Sequence, residues 1–238
     1  MIHVGCCGWR KAHDTTFAHF RLLEVQKTFY KPPMTRTTRR WRQEEAPSDF
    51  PFTLKAWQLI THEPSSPTYR KADLEIDEDA TDRYGSFRPT DEVFEAWGRT
   101  REIAEALTAP IILFQCPASF DPTPEHKENI RAFFGELDRG GFSFAWEPRG
   151  DWKANDIAAL CEDLDLIHCV DPFEAQTVTE AVAYFRLHGI EGYYHNFTGE
   201  ELEQVRARCE PFETTYVLFN NVSMWEDALC FREMLGQR

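Results

Sequence analysis

Eight short apolar runs punctuate the chain, at residues 2–7, 23–29, 52–56, 111–116, 142–146, 166–170, 183–187 and 215–219. Segments with helical spacing fall between them. Thr90 stands before a stripe of Val93, Trp97, Ala104 and Leu107, and Pro124 suits the first turn of a helix carrying Ile130, Phe133, Phe134 and Leu137. Thr198 with Glu201, and Ser223 with Glu226, have the spacing of capping boxes. Strands alternating with helices predict a parallel sheet. Eight of them predict a closed TIM-like (β/α)8 barrel, an α/β fold, with an open doubly wound sheet as its competitor. The expectation is one domain over residues 1–238, interrupted by an acidic, turn-rich insertion around 64–90. On a barrel that insertion falls on the catalytic face, as a lid or as a solvated loop without a role.

Alternation within the runs says which side chains turn inward. Phe142, Phe144 and Trp146 share one face of the fifth run, against Ser143, Ala145, Glu147 and Arg149 on the other. The seventh divides Phe185 and Leu187 from Tyr184, Arg186 and His188. The second divides Val25 and Phe29 from Glu24, Gln26, Thr28 and Tyr30, and the third sets Thr53 and Lys55 against Phe52, Leu54 and Ala56. Apolar faces must meet the helices, so the polar faces line the barrel. Glu24, Lys55, Glu147, Arg149, Arg186 and His188 thereby converge, two acids with three permanent cations and a histidine. Such groups are buried only if they pair with one another or with a ligand.

Three strings close apolar runs with chemistry: Glu147-Pro148-Arg149, Arg186-Leu187-His188-Gly189 and Phe219-Asn220-Asn221. Strand ends are where a parallel barrel builds its site. Glu147 and His188 are the expected proton carriers, with Asp171 holding His188 or acting as a second acid. Arg149 and Arg186 are expected to grip an anion. Lys55, Gln115, Asn220 and Asn221 would orient it, with His62, Trp152 and Tyr30 beside them. His62, Glu147, Asp171 and His188 are also chemically competent metal ligands, but no local ligand spacing joins them and three cations oppose a divalent ion, so no metal site is expected. No motif names a cofactor.

Composition narrows the partners. A net charge of −14 over 238 residues disfavours non-specific binding to nucleic acid or to anionic membranes. No apolar stretch reaches membrane-spanning length and nothing reads as a signal peptide, so a cytoplasmic protein is expected. The seven cysteines include no C-x-x-C pair, and most lie in apolar runs where a reduced thiol packs as a small hydrophobe. Cys6 and Cys7 are neighbours on a strand, so only one of them faces any given site.

In this order the strings resemble those of the domain of unknown function 72, or YecE-like, family. The resemblance rests on Gly5-Cys6-Cys7-Gly8-Trp9, Glu24 with Thr28-Phe29-Tyr30, Lys55-Ala56, Ile60-Thr61-His62, Phe114-Gln115 with Pro117 and Ser119-Phe120, Glu147 with Arg149 and Trp152, Asp171, and the last two strings above. Gln26, Cys116 and Pro148 depart from the residues usual there, as does the lack of a glycine in 222–227. The resemblance implies a TIM-like barrel and brings no activity with it. The residues themselves favour an enzyme working by acid/base chemistry on a small molecule bearing phosphate, carboxylate or sugar. An endonuclease IV-like phosphodiester hydrolase and a non-catalytic ligand sensor are the rivals.

Overall fold

A computed structural model describes residues 1–237. Eight parallel strands close on themselves in sequence order: β1 (Ile2–Cys7), β2 (Leu23–Val25), β3 (Phe52–Lys55), β4 (Ile111–Gln115), β5 (Ser143–Glu147), β6 (Leu166–Val170), β7 (Val182–Leu187) and β8 (Thr214–Phe219). The ring is sealed where Cys6 of β1 pairs with Phe219 of β8. The barrel of the sequence reading is therefore present, and the open sheet is not.

The alternation holds strand by strand. Phe144 and Trp146 join Phe52, Leu54, Ile112 and Phe114 in the layer between strands and helices. Ala145, Tyr184, Cys169, Leu113 and Leu218 fill the interior. Cys6 belongs to the helix-side core and Cys7 to the interior, as opposite faces of one strand require.

The helices are α1 (His13–His19), α2 (Lys27–Tyr30), α3 (Thr35–Arg40), α4 (Gln58–Thr61), α5 (Pro67–Ala72), α6 (Asp91–Leu107), α7 (Pro124–Glu136), α8 (Ala154–Asp163), α9 (Gly199–Cys209) and α10 (Met224–Met234). The hydroxyl of Thr90 accepts from Val93 N at the start of α6, and Thr198 and Glu201 complete the capping box of α9. The second box does not form. Ser223 makes no capping bond, because its hydroxyl donates to Asn196 of the preceding loop instead.

A second departure lies after β2. The strand stops at Val25, and Lys27–Tyr30 turns as one helical loop. Its anchor is Thr28, whose hydroxyl bonds the carbonyl oxygens of Val25 at 2.9 Å and Lys55 at 2.5 Å. A threonine that satisfies two strand-end carbonyls competes with continuation of the ladder.

The 64–90 insertion is built and fastened. It holds α5 and a 3-10 segment at Glu78–Arg83, and then returns to α4. Gly85 N donates to Leu59 O at 2.8 Å and Phe87 N to Ile60 O at 2.9 Å. Gly85 has φ +76°, and a Cβ there would strike the backbone of His62. Phe87 is fully buried against Phe114, Phe120, Phe133 and Phe134. No helix among the described residues is long and apolar enough to cross a membrane.

Candidate active site

Charge enters the barrel interior on β2, β3, β5 and β7. At its centre Arg186, 1 % exposed, reaches two carboxylates on different strands. Nη2 lies 3.1 Å from Glu24 Oε1 and Nη1 lies 2.5 Å from Glu147 Oε2. Glu24 is shut in completely and is also held by the Tyr184 hydroxyl at 2.7 Å and by the Gln26 amide. Tyr184 in turn bonds Thr53 Oγ1 at 2.8 Å. The planar fork of arginine can satisfy two acids at once, which a single ammonium cannot. Its Nε has no partner.

Above this lies Arg149, past the end of β5. Its Nε and Nη2 reach Glu147 Oε1 at 3.0 and 2.7 Å, and Nη2 also lies 3.0 Å from His188 Nε2. Guanidinium only donates, so His188 Nε2 must accept and Nδ1 carries the ring proton. Nδ1 faces Asp171 Oδ2 at 3.5 Å. The same oxygen accepts His188 N at 2.8 Å, while Oδ1 accepts Phe173 N at 3.0 Å. Gly189, at φ +98°, turns the chain directly after His188, and a Cβ there would meet Gly192 O and His195.

Burial alone would push the Glu147 carboxyl up, but Arg186 and Arg149 outweigh it and hold the group well below the usual carboxylate range. Lys55 moves the other way, to about 7, chiefly through burial and then through the charge of Arg186. His62, buried near Lys55 and Arg149, is lowered to about 3 by burial first and by those two cations next. Its Nδ1 bonds Thr61 Oγ1 at 2.8 Å and its ring meets Phe29 edge-on.

The cleft that opens here has a volume near 180 Å³, with Glu147, Arg149, Trp152, His168, Asp171 and His188 in its wall. The side chain of Arg149 is 40 % exposed and that of His188 is 23 % exposed, whereas Glu147 shows 6 %. Thus four of the expected residues, Glu147, Arg149, Arg186 and His188, form one contact chain, and Asp171 braces its end. Gln115 stands beside Glu147 in the β4–β5 register without a hydrogen bond of its own.

Other expected residues lie outside this chain of charges. Asn220 lines a second cleft of about 350 Å³ with Arg10, Gln26, Lys27 and Tyr193, and its N–H donates to Leu187 O at 2.8 Å. Asn221 is wholly buried, and its amide donates to His195 O at 2.7 Å and to Asp227 Oδ2 at 2.6 Å, so it braces the eighth loop. Trp152 packs on Trp146 and Phe120 and gives its indole N–H to Phe120 O. Tyr30 ends α2, where its carbonyl accepts from Gln58 at 3.3 Å. Among the described residues no group of three or more His, Cys, Asp or Glu side chains is arranged to hold a metal.

His168 was not marked by the sequence. It lies on the outward face of β6, yet is buried, accepts from Val178 N at 3.2 Å and titrates near 4 because of burial. The following loop folds back onto it through Thr177 Oγ1 and Val178 N, and no local pattern announces that.

A closed parallel barrel with an ionic centre and a strand-end cleft defines the class. The family model for proteins of unknown function DUF72 matches residues 3–238, and the chain belongs to that family. A DUF72 family protein from Thermotoga maritima is 21 % identical, with 99 % of each chain covered and a TM-score of 0.72. D-psicose 3-epimerase, solved in the presence of D-fructose, is 11 % identical, with 99 % of this chain and 100 % of that one covered and a TM-score of 0.61. Endonuclease IV from Thermus thermophilus is 15 % identical over the same shares, with a TM-score of 0.60. At these identities the likeness is one of fold. No curated protein matches the sequence.

Proposed function

We propose that the protein is a barrel enzyme that binds a small anionic molecule in the cleft at the ends of β5, β6 and β7 and acts on it by proton transfer. The supporting observation is the guanidinium of Arg149. It is fixed by Glu147, 40 % exposed at the cleft, and beside an imidazole whose Nε2 accepts from it. Its Nη1 makes no bond among the described residues and is free to donate to a carboxylate or phosphate oxygen.

The roles divide differently from the sequence expectation. Arg186 spends its fork on Glu24 and Glu147, so Arg149 is the arginine that meets the ligand. Glu147 stays ionised between two arginines, which suits an anchor for cations better than a general acid. Proton transfer then falls to His188, an imidazole able both to accept and to donate. A phosphodiester backbone is a poor match for a chain of net charge −14, which favours a small ligand over nucleic acid.

Isothermal titration with inorganic phosphate tests the reading. Arg149→Ala should weaken binding at least tenfold while the melting temperature stays within a few degrees. Equal affinity in the two proteins overturns it.

A further inference from the structure

Among the described residues, every charge inside the barrel but one has an ion-pair partner. Glu24 and Glu147 share Arg186, and Glu147 also takes Arg149. Lys55, the last residue of β3 and 7 % exposed, forms no ion pair and donates no side-chain hydrogen bond among the described residues. Its Nζ lies instead 3.5 Å from the centroid of the Phe29 ring. The groups around it come from every side: Glu24 from β2, Glu147 and Arg149 from the end of β5, Arg186 from β7 and His62 after α4. Both acids are committed to arginines, so they do not pair with the lysine.

We propose that Lys55 is a nucleophilic amine that condenses with the carbonyl group of an aldehyde or ketone bearing a carboxylate or phosphate. This deepens the reading above, since Arg149 would hold the acidic end of such a molecule. The Nζ lone pair adds to the carbonyl carbon as the C=O π pair moves to oxygen, the proton shed by nitrogen passes to that oxygen, and a second proton from solvent water lets the hydroxyl leave. The carbinolamine then expels water, leaving a C=N⁺ iminium, and water returns it to amine and carbonyl. No oxidant or reductant enters.

The surroundings suit each stage. A buried ammonium near guanidinium groups is costly, which favours the neutral amine while the arginines stay charged. Desolvation beside a second cation is a recognised way to free a lysine lone pair at neutral pH. Burial, followed by the charge of Arg186, brings Lys55 to about 7.

Reductive trapping tests this. The intact protein is incubated at neutral pH with sodium cyanoborohydride and either pyruvate or glycolaldehyde phosphate, and the modified lysine is located by peptide mass mapping. Lys55 should be alkylated at least tenfold faster than any other lysine, and a folded Lys55→Arg variant should lose that adduct. Label spread evenly over surface lysines with both probes, or unchanged in Lys55→Arg, overturns the proposal. Mapping of the wild-type protein decides the matter even if the variant does not fold. Acetaldehyde separates the two readings. If Lys55 is trapped equally well by acetaldehyde and by pyruvate, the imine stands and the anion site at Arg149 falls. If phosphate binds through Arg149 and no carbonyl compound marks Lys55, the anion site stands and the imine falls.

Discussion

Arg186 crosses the barrel interior from β7 to Glu147 on β5, and Nη1 stops 2.5 Å from Oε2. The strand between them, β6, contributes Cys169, whose thiol lies 3.8 Å from the same carboxylate oxygen. A buried pair of this kind adds little over a well-packed apolar pair, yet removing one member leaves the other charged and without water. Here two acids share one base, and Glu147 has a second in Arg149.

Arg186→Met should therefore destabilise the fold by about 3–5 kcal/mol, the range for breaking a buried ion pair. That is a fall in melting temperature on the order of 10 °C for a chain of this size. Arg186→Lys should recover only part of it, because a point charge cannot serve Glu24 and Glu147 together. Calorimetry showing a loss of a degree or two in Arg186→Met would mean that the network contributes nothing to stability.

Lys55 makes folding depend on alkaline pH. Its folded pKa is lowered from 10.5 to about 7, so the unfolded chain holds more protons across that interval and stability rises with pH. The contribution approaches ~1.4 kcal/mol per pH unit in mid-window. Lys55→Met should flatten the curve, and urea titrations from pH 7 to 10 that superimpose in slope would contradict the assignment.

On the acid side His168 acts alike. With a folded value near 4 against 6.5, it stays neutral when folded and takes a proton when unfolded, so stability is lost as pH falls through that interval. His168→Asn keeps an acceptor near the position of Nδ1 for Val178 N. It should reduce the acid sensitivity measured by thermal melts between pH 4 and 6.5, and an unchanged slope would argue against burial as the cause.

Six of the cysteines are buried and Cys230 alone is exposed. One thiol per native chain should react rapidly with a charged disulfide reagent, and Cys230→Ser should remove that phase. Two or more fast thiols in the native protein would be at odds with this packing.

Asn221 separates structure from binding. Asn221→Asp replaces two donated hydrogen bonds with a second carboxylate against Asp227. The expected loss is about 1–3 kcal/mol of stability, with phosphate affinity per folded molecule unchanged. A selective loss of affinity would return Asn221 to the ligand.

The barrel was legible because each strand carries its inward set on one parity. Glu24, Lys55, Glu147 and Arg186 all follow that rule. What parity does not carry is depth and partner choice. Arg186 and Arg149 are alike as letters, but one ends inside a strand and the other beyond it, which divides a structural fork from an open one. Thr28 ended β2 early through bonds to carbonyls on two strands, and Ser223 left its helix for Asn196. Each outcome was decided by a neighbour distant in sequence or by a loop whose path no periodicity records.

The first four strands bring one acid and one base to the interior, Glu24 and Lys55, and the last four bring another such set, Glu147 and Arg186. Either half could neutralise itself. Closure does not keep those matches, because Arg186 takes the acids of both halves and Lys55 is left over. The solitary amine is thus a product of assembly, since both acids turn to arginines that the second half of the barrel supplies.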